Sequence, residues 1–276
     1  MNNERPSWQR RAVVLPVVTA LVLAFQLAPI VFVVIFSFNE GRSIGSFTTW
    51  SVRWYESLFA NESLLESLWL STWVAFVVAV IATFVGTALA LALSRLRRAE
   101  AAVPGGLLGL VFVTPEIALG VSLLLLFSTA GLTLSPVTII VGHVTFCIAY
   151  VAFVVRARLE TLRPDVEEAA RDLGATLFGV VRLVILPQIA PAAIVAFALA
   201  FLLSFDDFVV SFFASGVDIS PLPVYIYGML RLGVTPEINA IGTIMIAAAL
   251  LLGVIGFVVA LRRGIVKQMT GAAQGD

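Results

Sequence analysis

Glu168-Ala169-Ala170-Arg171-Asp172-Leu173-Gly174, followed by Leu186-Pro187, is a polar stretch set between very hydrophobic segments. Upstream, Pro164 suits the first turn of a helix, where its missing N–H costs nothing. Asp165, Glu167 and Glu168 fall in that same turn and complement the positive end of the helix dipole. Gly174 fits a helix stop, and Thr176 can cap a second helix. In that second helix Leu177, Val180, Val181 and Val184 recur at i, i+3, i+4 and i+7, which makes one apolar face. Pro187 ends it or opens the next apolar segment. The stretch therefore predicts a helix–Gly–helix element lying at a membrane surface. Such an element can cover the end of a bundle, or it can be the place where another protein grips the chain.

The surrounding chain is that of an integral membrane protein. Of its 276 residues 60% are hydrophobic and 12% charged, with a mean hydropathy of +1.05, where a soluble domain carries roughly 25% charge. A spanning helix needs about 20 mainly apolar residues, and six runs qualify, near 13–37, 67–94, 104–128, 136–156, 188–213 and 239–261. The first is too long for the apolar region of a signal peptide and reads as a retained span. The basic residues are unevenly divided: fourteen, from Arg5 to Lys267, fall in one set of loops and the termini, and only Arg42, Arg53 and Arg231 in the other. Cytoplasmic loops are enriched in Lys and Arg, so both termini are expected in the cytoplasm and the loops 38–66 and 214–238 outside. The organisation expected is a cytoplasmic N-terminus at 1–12, one transmembrane body at 13–269 with a cytoplasmic loop at 157–187, and a polar, disordered tail at 270–276.

Several classes are excluded. Net charge is zero, which leaves no basic surface for nucleic acid. A phosphate-binding loop needs a Gly-Lys pair, and the only lysine is Lys267. The chain has one histidine, His143, and one cysteine, Cys147, too few for a histidine cluster, a cysteine-rich metal site or an intrachain disulfide.

Charges inside the apolar runs are expensive and face a cavity or a partner. Thr114-Pro115-Glu116 has the order of a helix start, cap then proline then acid, so a broken span is expected there; Glu116 either caps that internal start or lines a path. Ser204-Phe205-Asp206-Asp207-Phe208 places two acids side by side. Adjacent helical residues point about 100° apart, so one is expected to face a pore and the other to pair with a neighbouring helix or subunit. With no Lys or Arg in the same run, the pair suits a cationic substrate. His143 reads as a satisfied core histidine or a pore-lining one. Aromatic faces attract ammonium groups, which makes Tyr150, Tyr225 and Tyr227 further candidates.

The opening stretch resembles the EAA loop of ABC importer permeases: Glu-Ala-Ala, three residues, Gly, nine residues, Ile, one residue, Leu-Pro. Here Glu168-Ala169-Ala170, Gly174, Val184 and Leu186-Pro187 stand at the same spacing, with Val for Ile. Beyond the loop, Leu203-Ser204-Phe205-Asp206-Asp207-Phe208-Val209-Val210-Ser211, Ser215-Gly216, Leu222-Pro223, the run Leu232–Ala240 and Pro115-Glu116-Ile117-Ala118-Leu119-Gly120 are similar to the second permease of spermidine/putrescine importers. The resemblance implies an all-α, six-span, type I importer permease in the bacterial inner membrane. It further implies a second, non-identical permease, two copies of an ATPase that bind MgATP, and an extracytoplasmic polyamine-binding protein. The chain itself would be non-catalytic and carry no cofactor. Glu168, Ala169, Ala170, Asp172, Gly174, Leu177, Leu186 and Pro187 would form the socket for the ATPase. Glu116 and Asp206, then Asp207, would contact the ammonium groups of a polyamine. A permease for another cationic or organic solute, and a proton-coupled secondary transporter, are the alternatives.

Overall fold

The structure of the protein, a computed structural model, describes residues 7–42, 45–217, 219–233 and 236–262. Arg5, Lys267 and the expected tail at 270–276 lie outside the described residues. In chain order the helices are α1 (Ser7–Phe36), α2 (Arg53–Ala60), α3 (Glu62–Arg95), α4 (Arg98–Val113), α5 (Glu116–Thr129), α6 (Pro136–Leu159), α7 (Pro164–Asp172), α8 (Leu177–Val180), α9 (Leu186–Phe205), α10 (Val209–Ala214), α11 (Leu222–Leu232) and α12 (Pro236–Arg262). A π-helical turn, Val181–Ile185, joins α8 to α9.

Among the described residues, four stretches are long and apolar enough to cross a membrane: Leu15–Phe36, Glu62–Arg95, Pro136–Leu159 and Leu177–Phe205. A fifth is a broken pair, Ala99–Val113 and Glu116–Thr129, bent by 107°. The run expected at 104–128 is thus two helices, because Pro115 has no N–H to continue α4. The run expected at 188–213 is also corrected. Its helix begins eleven residues earlier, at Leu177, and stops at Phe205, with α10 as a separate piece. α12 covers the run expected at 239–261, and its described apolar part, Pro236–Leu251, is shorter than the other spans.

The chain divides into two units. The first comprises residues 1–62 and 228–276. In it α12 lies against α1 and α2. Asn39 organises the loop between α1 and α2. Its Nδ2 donates to Ser46 O at 2.9 Å, its Oδ1 accepts from Thr48 N at 2.8 Å, and its carbonyl accepts from the buried Trp54 Nε1 at 2.7 Å.

The second unit, residues 63–227, holds the candidate site. Its centre is α6, packed along α9 and joined by α10 and α4. α3 buries a line of small residues, Ser71, Ala75, Ala79, Ala82, Gly86 and Ala90, at the three- and four-residue spacing of one helix face. A Cβ at Gly86 would come within 2.7 Å of Val151 Cβ and 2.9 Å of the Ile148 carbonyl, so the glycine lets α3 and α6 meet backbone to backbone. Small residues at such contacts drive helix association in lipid, where no hydrophobic force operates between helices.

Candidate functional site

The polar element between α6 and α9 is built from local signals. Pro164 opens α7, and Asp165 and Glu167 lie in its first turn. Gly174 then adopts φ +83°, a region open to glycine at no steric cost. Its N–H donates to Arg171 O at 2.8 Å and that of Ala175 to Ala170 O at 3.0 Å, the paired bonds of a Schellman stop. Thr176 caps α8, its hydroxyl accepting the Gly179 N–H at 3.2 Å. The expected second helix is not separate from the next span: α8, the π turn and α9 run on without a break, and Pro187 sits in the first turn of α9. The expected apolar face is turned inward at Val180 and, in part, at Val181 and Val184. Leu177 instead stands out to solvent beside Leu173 and Phe178, because it begins the helix, past the edge of the core. Glu168, Ala169, Asp172, Leu186 and Pro187 are exposed as well, and Ala170 is half-buried.

This element has ties that sequence reasoning missed. Glu167 receives Arg95, at the end of α3, and Arg171, one turn on. Arg158 Nε donates to the Gln188 carbonyl at 3.3 Å, linking α6 to the start of α9. A cavity of about 740 Å³ opens here, with Arg95, Arg156, Arg163, Glu160 and Glu167 among its lining. None of Glu116, Asp206 and Asp207 lines it.

The three acids lie at two helix breaks. Glu116 is the first residue of α5 and is exposed. The capping role expected of Thr114 is corrected: Thr114 closes α4, its hydroxyl donating back to Leu110 O at 2.8 Å. One turn beyond Glu116, Gly120 meets α10, and a Cβ there would come within 2.6 Å of Phe213. Tyr150, half-buried on α6, packs edge-on against Phe112 of α4 with ring centroids 4.6 Å apart. Tyr225, on α11, is half-buried.

The second break has no proline or glycine in it: Leu203 to Ser211 could continue as helix. Yet α9 stops at Phe205 and α10 starts at Val209. Asp207 holds the break. Its Oδ2 accepts the Ser211 N–H at 2.8 Å, capping α10, and lies 3.2 Å from His143 Nε2. The other ring nitrogen, Nδ1, is 2.7 Å from the Ser204 hydroxyl, and the Ser211 hydroxyl is 3.2 Å from Nε2. A neutral imidazole satisfies this arrangement, with Nε2–H donating to the carboxylate and Nδ1 accepting from Ser204. His143 and Asp207 side chains are only 1% and 8% exposed. Such burial is costly for a carboxylate unless it is paired and hydrogen-bonded. α6 supports the broken span at two further points: Thr138 Oγ1 donates to Ala214 O at 2.8 Å, and Cys147 Sγ to Ala200 O at 3.7 Å. Asp206, by contrast, closes α9 and is exposed. The available signal for the His143–Asp207 pair was stoichiometric: a lone histidine in one apolar run and two adjacent acids in another that holds no Lys or Arg.

Residues 103–269 match the model of the family described as binding-protein-dependent transport system inner membrane component. The spermidine/putrescine transport system permease protein PotC of Haemophilus influenzae is 40% identical over 206 residues, covering 75% of this chain and 80% of that protein. The putrescine transport system permease protein PotI of Escherichia coli K12 is 38% identical over 219 residues, covering 76% and 77%. A chain of the crystal structure of a bacterial ABC transporter that imports the acidic polysaccharide alginate superimposes with a TM-score of 0.65 at 18% identity, covering 94% of this chain and 98% of that one. A chain of the alginate transporter bound to its periplasmic protein gives 0.71 at 16% identity, covering 92% and 94%. The fold is that of an ABC importer permease, and the chain belongs to the family of inner membrane components of binding-protein-dependent transport systems. It is therefore a multi-pass inner-membrane permease, non-catalytic, that works in a complex with an ATPase and a periplasmic binding protein.

Proposed function

We propose that the chain is one of two non-identical permeases that together form the pore of a polyamine importer. The observation that carries the reading is the exposed carboxylate pair at the two helix breaks, Glu116 and Asp206, in runs with no Lys or Arg. Relatives named for spermidine and putrescine transport, at 38–40% identity, support the substrate class. Two separated carboxylates match the ammonium groups of a flexible diamine, and Tyr150 and Tyr225 add aromatic faces. The contact must be weak, since a tight site traps its cargo.

In this reading six spans cross the membrane over 13–269, with α12 as the sixth. The excess of basic residues on one side places both termini and the α7–α8 element in the cytoplasm. Two ATPase copies dock on that element and its counterpart in the second permease. The exposed Leu173, Leu177 and Phe178 give the partner an apolar patch, and Glu168 and Asp172 its polar rim. ATP closes the ATPase dimer, the docking elements move together, and the pore opens outward to receive the polyamine from the binding protein.

The test is ATP-dependent uptake of labelled putrescine and spermidine into proteoliposomes holding the assembled complex. Uptake of either supports the substrate class. ATPase activity stimulated by the binding protein, with no uptake of either polyamine, would overturn it.

A further inference from the structure

The neighbouring acids Asp206 and Asp207 are chemically alike but placed in opposite environments, and His143 is what separates them. Nothing in the local sequence breaks α9 at this point. The break exists because Asp207 supplies an acceptor to the Ser211 N–H, and Asp207 can be buried there because the imidazole meets it from α6. The groups around that carboxylate are His143 and Ser211, with Asp206 next in sequence and the Cys147 thiol within electrostatic reach; Ser204 meets the far nitrogen of the His143 ring. None of them is a cation other than, when protonated, the histidine. If Nε2–H were removed, the buried carboxylate would keep only the Ser211 N–H, too little to offset its burial, and the side chain would turn out beside Asp206.

We propose that His143 is a positioning residue for transport: it holds Asp207 in the wall, so that of the adjacent pair only Asp206 meets the substrate. This rests on the reading above that Asp206 lines the path. Its functional meaning follows from charge. Two carboxylates at one point would hold a cationic substrate more tightly than one, slowing release and therefore turnover. Binding energy spent equally on the bound state does not speed passage.

The test separates the two ring nitrogens. In His143→Gln the amide reaches the place of Nε2 and can still donate to Asp207; in His143→Asn it reaches only the place of Nδ1. The assembled complex is treated with a water-soluble carbodiimide and an amine, and modification of each carboxylate is read by mass spectrometry. In the unsubstituted protein Asp206 is expected to react and Asp207 to be protected. His143→Asn should raise modification of Asp207 by about tenfold, the equivalent of one lost charge-assisted hydrogen bond, and His143→Gln should leave it protected. Asp207 reacting as readily as Asp206 in the unsubstituted protein, or identical behaviour of the two variants, would overturn the proposal.

Transport supplies the second readout. His143→Asn should lower maximal polyamine uptake without raising the half-saturating concentration. Adding Asp207→Asn, which removes the charge that needs a partner, should restore it. A double variant worse than the single one would mean a merely structural role. Should His143→Asn fail to assemble with the ATPase, the double variant must assemble; failure of both overturns the proposal. The footprint needs no substrate. The expected footprint in a complex that takes up no polyamine would therefore uphold the role of His143 while overturning the substrate assignment.

Discussion

The α7–α8 element and the break at 206–208 are both interruptions of helix, and they are held in opposite ways. The first is written into its own residues: Pro164 starts a helix, Gly174 stops it at φ +83°, and Thr176 caps the next. The second has no local cause and is held from another helix, by His143 with Ser204 and Ser211 around Asp207. A locally coded turn keeps its shape while the body beneath it moves, which suits the docking role proposed for it. A turn held from across the bundle keeps its shape only while the bundle does, which suits the pore wall proposed for it.

Asp206→Asn should give the largest effect. It removes the exposed charge but none of the bonds that hold the break, so uptake should fall by about ten- to a hundredfold, the range of one charged hydrogen bond. The ATPase should still co-purify; loss of assembly instead would show that Asp206, like Asp207, is part of the wall.

Gly174→Val attacks the locally coded turn. A side chain at positive φ costs about 1–2 kcal/mol, and a β-branched one is a genuine outlier there. Uptake should drop by about tenfold while the protein inserts and ATP hydrolysis continues. Normal uptake would remove the turn from the coupling route.

Ser204→Ala probes the remote support of the break. One buried hydrogen bond to the His143 ring is worth about 1 kcal/mol, so the melting temperature in detergent should fall by roughly 2–4 °C. No change would mean that the ring is oriented by Asp207 alone.

Arg95→Ala should do least. The Arg95–Glu167 pair is partly exposed, and Glu167 keeps Arg171, so the loss should stay within about 1 kcal/mol. It is read as an unchanged melting temperature and near-normal uptake. A large loss would mean that α7 too depends on a distant partner, and the contrast between the two regions would fail.

The same contrast explains what the residues announced and what they withheld. The α7 stop, the Thr176 cap and the break at Pro115 could be read because proline, glycine and a capping hydroxyl act within a few residues of themselves. Thr114 was misread as a cap because its hydroxyl has a competing acceptor one turn back, Leu110 O, and the order of residues does not say which wins. The stop at Phe205 was invisible because the cause lies 62 residues upstream, in His143. The continuity of α8 with α9 was hidden by Pro187, which reads as a boundary. A π turn precedes it, and proline tolerated in a first helical turn costs no N–H. Of the candidate path residues, Glu116 and Asp206 are exposed at helix ends, Asp207 is in the wall, and Tyr150 spends one ring edge on Phe112.

The π turn at Val181–Ile185 has a mechanical consequence. Leu177 to Phe205 is one unjointed rod of 29 residues, about 43 Å long at 1.5 Å per residue. One end presents the exposed Leu177, and the other is closed by Asp206. A continuous helix transmits torque as well as thrust, so a twist applied at Leu177 is carried toward Asp206. The extra residue in the π turn sets the phase between those ends. Deleting one residue there would rotate one end against the other by about 100°, leaving both surfaces intact and mistimed.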